Sequence, residues 1–220
     1  MITRMDREVG RVTALIEELG LQDRTIFVFS SDNGPLYDRY GGTDADFFNS
    51  AGGFRGRKGS FCEGGFRVPC IVRWKGRIDG GTSSDRVTGF EDWLPTLLEL
   101  IHGKGRLTTD IDGISFVPTL RGKKQKPRPF LYRESPGYGG QQCVSVGDWK
   151  ALRQNLNPEP GASHLQPSPL ELYNLRDDPG ETSDVAGRYP DIAKKLGKLM
   201  KKQHVKSMLF PIRALDDETK

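Results

Sequence analysis

Thr25-Ile-Phe-Val-Phe-Ser-Ser-Asp32-Asn33-Gly34 decides the reading of this 220-residue chain: an apolar run ends abruptly in a carboxylate, a carboxamide and a glycine. Apolar residues on both faces predict a buried strand of a parallel sheet. In an open parallel sheet ligands sit outside the carboxyl ends of the strands, so Asp32 and Asn33 are placed where chemistry usually happens. A carboxylate and an amide oxygen side by side are hard ligands, suited to calcium or magnesium. Asp-Asn-Gly is also turn chemistry, since Asn and Gly tolerate positive φ, and on the tripeptide alone the two readings stand level.

Working outward, residues 5 to 19 place Val9, Val12, Leu15, Ile16 and Leu19 on one helical face, with Asp6 near the start and Gly20 at the stop. Helix followed by buried strand is half of an α/β unit. A long, polar, glycine-rich loop from Gly34 to Gly65 has no hydrophobic periodicity, and a loop of that length in a compact domain is usually functional. Pro69-Cys-Ile-Val-Arg-Trp74 reads as a second buried strand. Asp92 to Ile101 reads as a helix that tolerates Pro95 because it lies in the first turn. The α/β part is expected to end near Arg121, giving domains 1–121 and 122–220.

Beyond a basic linker come short alternating segments, Phe130 to Glu134, Gln142 to Val146, Trp149 to Arg153 and Leu170 to Leu175. Gly147-Asp148 joins the middle two as a tight hairpin. Residues 154 to 169 form a loop, Asp177-Asp-Pro-Gly a turn, and Pro190 opens a final helix whose Ile192, Leu196, Leu199 and Met200 share a face. The fold class is therefore α/β, followed by a small antiparallel sheet closed by a helix.

Composition narrows the function. The 27 glycines and 14 prolines show no repeat period and serve as turn chemistry. The 33 basic and 29 acidic residues are well mixed, and the basic stretches 121–128 and 194–206 lack interleaved aromatics, so nucleic acid is not an expected partner. Cys62, Cys70 and Cys143 show neither C-x-x-C spacing nor an even count. No stretch approaches the ~20 apolar residues of a membrane span, and no charged-then-apolar signal segment opens the chain.

A second cluster, Arg55-Gly-Arg57-Lys58-Gly59-Ser-Phe-Cys-Glu63-Gly64-Gly65-Phe-Arg67-Val68-Pro69, shifts the balance toward function. Glycines around Lys58 free the backbone to approach a ligand, and the ammonium is a compact charge for an oxyanion. The competing reading is a flexible cationic loop without fixed geometry. Ser31-Asp-Asn-Gly34, then Gly56-x-Lys58 and Glu63-Gly-Gly-x-Arg-Val-Pro69, together resemble the sulfatase family of the alkaline-phosphatase-like superfamily. Asp112-Gly-Ile-Ser-Phe116, Gly147-Asp-Trp-Lys150, Glu171-Leu-Tyr-Asn-Leu175 and Asp178-Pro-Gly-Glu181 extend the resemblance to arylsulfatase-like sequences over nearly the whole chain.

The resemblance implies that Asp32 and Asn33 are calcium ligands and that Lys58, as a catalytic and substrate-binding residue, contacts the sulfate of an aryl sulfate or sulfated carbohydrate. It also implies a formylglycine nucleophile made from the first residue of Cys/Ser-x-Pro-x-Arg, a motif absent here. The nearest string, Leu209-Phe-Pro211-Ile-Arg213, opens with leucine. The family's other metal aspartates and its histidines are expected upstream. Asp177-Asp178 in a turn and Asp216-Asp217 in a charged tail do not replace them, and His102, His164 and His204 read as solvated. The expectation is a carboxy-terminal half of a sulfatase, with Met1 an internal methionine, inactive alone. Family members are commonly periplasmic, secreted or lysosomal. Two alternatives remain: a phosphodiesterase or phosphonate monoester hydrolase of the same superfamily, and a non-catalytic binder of sulfated glycans using Lys58, Arg55 and Arg57 as an anion cradle.

Overall fold

The computed structural model describes residues 1–36, 44–102, 110–157 and 167–217. In chain order the helices are α1 (Ile2–Glu18), α2 (Glu63–Phe66), α3 (Trp93–His102), α4 (Val117–Leu120), α5 (Pro190–Gln203) and α6 (Arg213–Asp217). The strands are β1 (Phe27–Ser30), β2 (Cys70–Arg73), β3 (Leu131–Ser135), β4 (Gln141–Val146), β5 (Trp149–Arg153) and β6 (Glu171–Asn174). Backbone contacts divide the chain into two compact units, Met1–Ser30 with Pro69–Pro127 and Ser31–Val68 with Arg128–Lys220.

In the first unit, α1 runs along the expected apolar stripe and stops where glycine permits a left-handed residue. Gly20 has φ 64°, its amide donates to the Glu17 carbonyl, and the Leu21 amide donates to the Ile16 carbonyl, both at 3.0 Å. This pair of bonds satisfies carbonyls that the last helical turn leaves open.

β1 corrects an expectation. Among the described residues it pairs antiparallel with β2, from Phe27 opposite Arg73 to Ser30 opposite Cys70, where a parallel partner was expected. Neither strand is buried on both faces: Val28 is 43% exposed and Ile71 61%. The long loop leaves from Ser30 and returns to Cys70 at the same end of the ribbon, which only an antiparallel pair allows. A parallel partner needs a crossover back to the opposite end. Farther along, the buried Asp92 carboxylate accepts from the amides of Gly89 and Ile114, at 3.0 and 2.7 Å. Together with an edge-to-face contact of Trp93 on Phe116, this pins the 112–116 segment to the start of α3.

The second unit is built on an antiparallel meander in the order β3-β4-β5-β6. Gly147-Asp148 makes the expected hairpin turn, with Val146 opposite Trp149. Side chains alternate between the two faces of the sheet. Val144, Ala151 and Leu172 pack on Leu196 and Met200 of α5. Cys143 and Leu152, one residue out of phase, pack on Cys62, Phe61 and Phe66. The sheet is thus covered by a helix on one side and by the glycine-rich segment on the other.

Three further expectations change here. The helix at Pro190 is not the last, because α6 follows it. Asp216 is not in a solvated tail: it is buried and accepts from the Ile212 amide at 3.1 Å. His204 is only 5% exposed at its side chain, with Nδ1 2.7 Å from Glu134 Oε2 and Nε2 3.3 Å from Asp216 Oδ1. The physical reason is a small apolar cluster of Leu156, Ile212 and Leu215, whose burial brings α6 and its acid down onto the fold. His164, with the rest of 158–166, and residues 37–43 of the other long loop lie outside the described residues, as do the side chains of His102 and Asp217. Among the described residues no helix is long and apolar enough to cross a membrane.

All three thiols are free; Cys62 and Cys143 are buried and Cys70 is exposed. Burial pushes the Cys143 thiol up to about 12. With a colorimetric thiol reagent at pH 8, Cys70 should react at once and the other two only on unfolding. Three equally fast thiols in the native protein would contradict the packing of this sheet face.

Candidate functional site

Asp32 and Asn33 leave the tip of β1 in a tight turn. Ser31 Oγ donates to the Asn33 carbonyl at 2.8 Å, and Asn33 Nδ2 donates to the Gly34 carbonyl at 2.9 Å. Because the amide nitrogen of Asn33 is engaged, its Oδ1 is the atom left to serve a ligand. The next residue is clamped: the Gly34 amide donates to the Gly65 carbonyl at 2.7 Å. A methyl group at Gly34 would fall 1.8 Å from the Gly64 carbonyl oxygen, so only glycine permits this approach.

Lys58 meets the same turn through its main chain, its amide donating to the Pro35 carbonyl at 2.9 Å. The structure therefore brings the backbones of the two predicted clusters together. The Lys58 loop is not a free cationic strand of chain. Gln141 on β4 donates from Nε2 to the Gly59 carbonyl at 2.7 Å and accepts from the Phe61 amide at 3.0 Å. Gly59 itself lies under the Tyr138 ring at φ 90°, a backbone conformation that favours glycine.

The charges divide into two sets. Among the described residues the Asp32 carboxylate and the Lys58 ammonium have no ion-pair partner, and Asp32 is exposed. The arginines are committed. Arg55 donates to Glu171 Oε2 at 2.7 Å and to the Tyr173 hydroxyl at 2.5 Å, and Arg57 pairs with Asp46. These arginines, with Asp46, Asn49 and Tyr173, line an open cleft of about 740 Å³. Sequence reasoning missed Glu171 and Tyr173 as partners of Arg55, and no local signal encodes a contact across more than a hundred residues.

Burial alone would raise the Glu171 carboxyl, but hydrogen bonds from Tyr173 and Arg55 and the guanidinium charge hold it below the ordinary glutamate range. A carboxylate so depressed adds stability above its unfolded pKa, and that stability is lost as pH falls through the folded one. Glu171→Gln should therefore be less stable than the parent at neutral pH. The gap should close below the ordinary glutamate range, as read by urea denaturation across pH; a gap independent of pH would contradict this ion pair.

Residues 1–103 match the family model described as Sulfatase. Mouse steryl-sulfatase is 33% identical over 199 residues, which cover 82% of this chain and 32% of that protein. Human arylsulfatase A is 32% identical over 221 residues, covering 90% of this chain and 41% of that one. Among solved structures, i-CgsB in complex with k-i-k-neocarrahexaose matches with a TM-score of 0.71 at 25% identity, over 92% of this chain and 41% of that chain. The chain thus spans about a third to two fifths of the length of these relatives, and it shares their alkaline-phosphatase-like fold. Both sequence clusters, the order in which they occur and the fold agree: the chain belongs to the sulfatase family, of which it spans a carboxy-terminal part.

Proposed function

We propose that Asp32, Asn33 and Lys58 are the cation-binding and sulfate-contacting portion of a sulfuric ester hydrolase site. One observation carries the reading: two opposite charges without an ion-pair partner among the described residues lie close together in the chain's path, Asp32 on the turn after β1 and Lys58 on a loop whose amide donates to Pro35 at the end of that turn. The Asp32 carboxylate and Asn33 Oδ1 suit a hard cation such as calcium, and Lys58 suits an oxyanion. A bound calcium supplies positive charge to sulfate oxygens. Lys58 contacts the same ester group and neutralises charge as the sulfuryl group is transferred.

The donor set in this chain is partial. Calcium takes roughly six to eight oxygen ligands. Among the described residues no group of three or more acidic, imidazole or thiol side chains gathers in one place. The nucleophile motif of the family, Cys or Ser before x-Pro-x-Arg, is absent from the sequence. We therefore expect weak calcium binding and no turnover by this chain alone, the formylglycine and remaining ligands belonging to upstream family sequence. In that family frame, 1–121 is the end of the catalytic α/β domain and 122–220 a small α+β subdomain. The substrate class is an aryl sulfate or a sulfated carbohydrate. The neocarrahexaose complex of i-CgsB and the polar cleft lined by Asp46, Asn49, Arg55 and Arg57 support the carbohydrate. The glycan-cradle alternative loses ground, because Arg55 and Arg57 are tied to carboxylates.

Calorimetric titration tests the assignment. Calcium should bind in the range of about 10⁻⁴–10⁻³ M, and Asp32→Ala should abolish it. Sulfate binding should fall with Lys58→Ala and change little with Arg57→Ala. Phosphate outcompeting sulfate would favour the phosphodiesterase-like alternative, and sulfate release by the chain that disappears in Lys58→Ala would overturn the inactive reading. Gly34→Ala should weaken both ligands and cost about 1–3 kcal/mol of stability through overpacking, measured by urea denaturation. Unchanged binding in that variant would detach the clamp from the site.

A further inference from the structure

The most deeply buried charges of the second unit lie outside the candidate ligands. Lys150, the second residue of β5, is 0% exposed. Its Nζ donates to Glu63 Oε1 at 2.8 Å and lies 2.9 Å from Glu181 Oε1. The second contact is an ion pair without a well-directed hydrogen bond, since Glu181 Oε1 accepts none. The ammonium also sits 4.6 Å from the centre of the Phe66 ring. The other oxygen of Glu181 accepts from the Glu63 amide at 2.7 Å. Glu181 holds this position at φ 54°, a left-handed conformation unusual for a side chain of its size.

Three separate stretches of sequence meet here: β5, the single turn α2 and the bend after β6. Stability alone gives no reason for charges at this place, because a buried ion triad replaced by apolar residues of like volume is often neutral or better. What ions add is a unique register among the segments that carry them. From α2 the constraint passes along the backbone. The Gly64 amide donates to the Arg55 carbonyl and the Gly65 carbonyl accepts from Gly34, both at 2.7 Å. The loop holding Lys58 and the turn holding Asp32 are both attached to the segment the triad fixes.

We propose that Lys150, Glu63 and Glu181 are positioning residues: a buried ionic clamp that sets where Gly34 and Lys58 lie relative to the antiparallel sheet. Its importance for sulfate chemistry rests on the site assignment above. The clamp itself does not.

Amide hydrogen exchange on the full chain tests it, residue by residue, by NMR. Glu181→Ala removes both the carboxylate and the acceptor for the Glu63 amide. Protection at the amides of Gly34 and Lys58 should drop about tenfold or more, while amides of the β4–β5 ladder and of α5 hold theirs. Glu181→Gln keeps an acceptor oxygen of the same reach and should restore much of that protection. An equal loss at every amide would show a merely stabilising charge cluster and overturn the proposal, as would unchanged protection at Gly34 and Lys58. Should Glu181→Ala fail to fold, Glu181→Asp, which keeps the charge but withdraws the oxygens from the Glu63 amide, serves the same comparison. If the parent chain binds no calcium while the exchange pattern is as expected, the site assignment fails and the clamp stands.

Discussion

At Gly34 the chain passes so close to Gly64 and Gly65 that a single added carbon would overlap a carbonyl oxygen. The 2.7 Å bond between the Gly34 amide and the Gly65 carbonyl closes a ring of chain, and the features of the candidate site depend on it. The turn with Asp32 and Asn33 enters the ring, the Lys58 loop crosses it through Pro35, and α2 leaves it carrying Glu63. Backbone-to-backbone closure of this kind does not depend on long side chains finding one rotamer. It therefore places two polar loops more firmly than a surface ion pair does, such pairs contributing about 0–1 kcal/mol.

What the sequence disclosed follows from local physics. The period of α1 and α5, the Gly20 stop, the Gly147-Asp148 hairpin and the alternation of β4 and β5 are set by neighbouring residues, and these were legible. Strand direction was not. The run Ile26 to Phe29 is apolar whichever way its partner points, and only the return of the chain to Cys70 decides it. The burial of His204 was hidden for a related reason: its carboxylate Glu134 lies seventy residues away. On the site, Asp32, Asn33 and Lys58 stood out by residue type and glycine context, whereas Lys150 in Gly-Asp-Trp-Lys read as an ordinary strand residue.

The distribution of charge separates scaffold from site. Arg55 is raised above its ordinary value even though burial works against it, because Glu171 and Tyr173 engage it. Lys150 is likewise raised against its own burial by Glu63 and Glu181, and burial in turn raises the Glu181 carboxyl. Lys150 is enclosed with two carboxylates and Arg55 is bonded to one, so both cations are committed to partners within the fold. Lys58 and Asp32 show the opposite condition: partly or fully exposed, and unpaired among the described residues. A site for a sulfate ester, a singly charged oxyanion, and a divalent ion would need groups of this second kind, supported by groups of the first.

The two faces of β5 show how one short strand serves both purposes. Ala151 points toward α5 and helps make the apolar layer that holds the meander together. Lys150 and Leu152, one step out of phase, point toward the glycine-rich segment, the leucine packing on Cys62 and Phe66 and the lysine reaching Glu63. A shift of one residue in the register of β5 would exchange these sets, putting the ammonium against Leu196 and Met200 and an alanine against two buried carboxylates. The cost of either mismatch is large, since an unpaired buried charge is among the most unfavourable groups a fold can hold. The charge that ties the candidate site to the sheet therefore also enforces the register of the strand that bears it, and the apolar layer behind α5 enforces it from the other side.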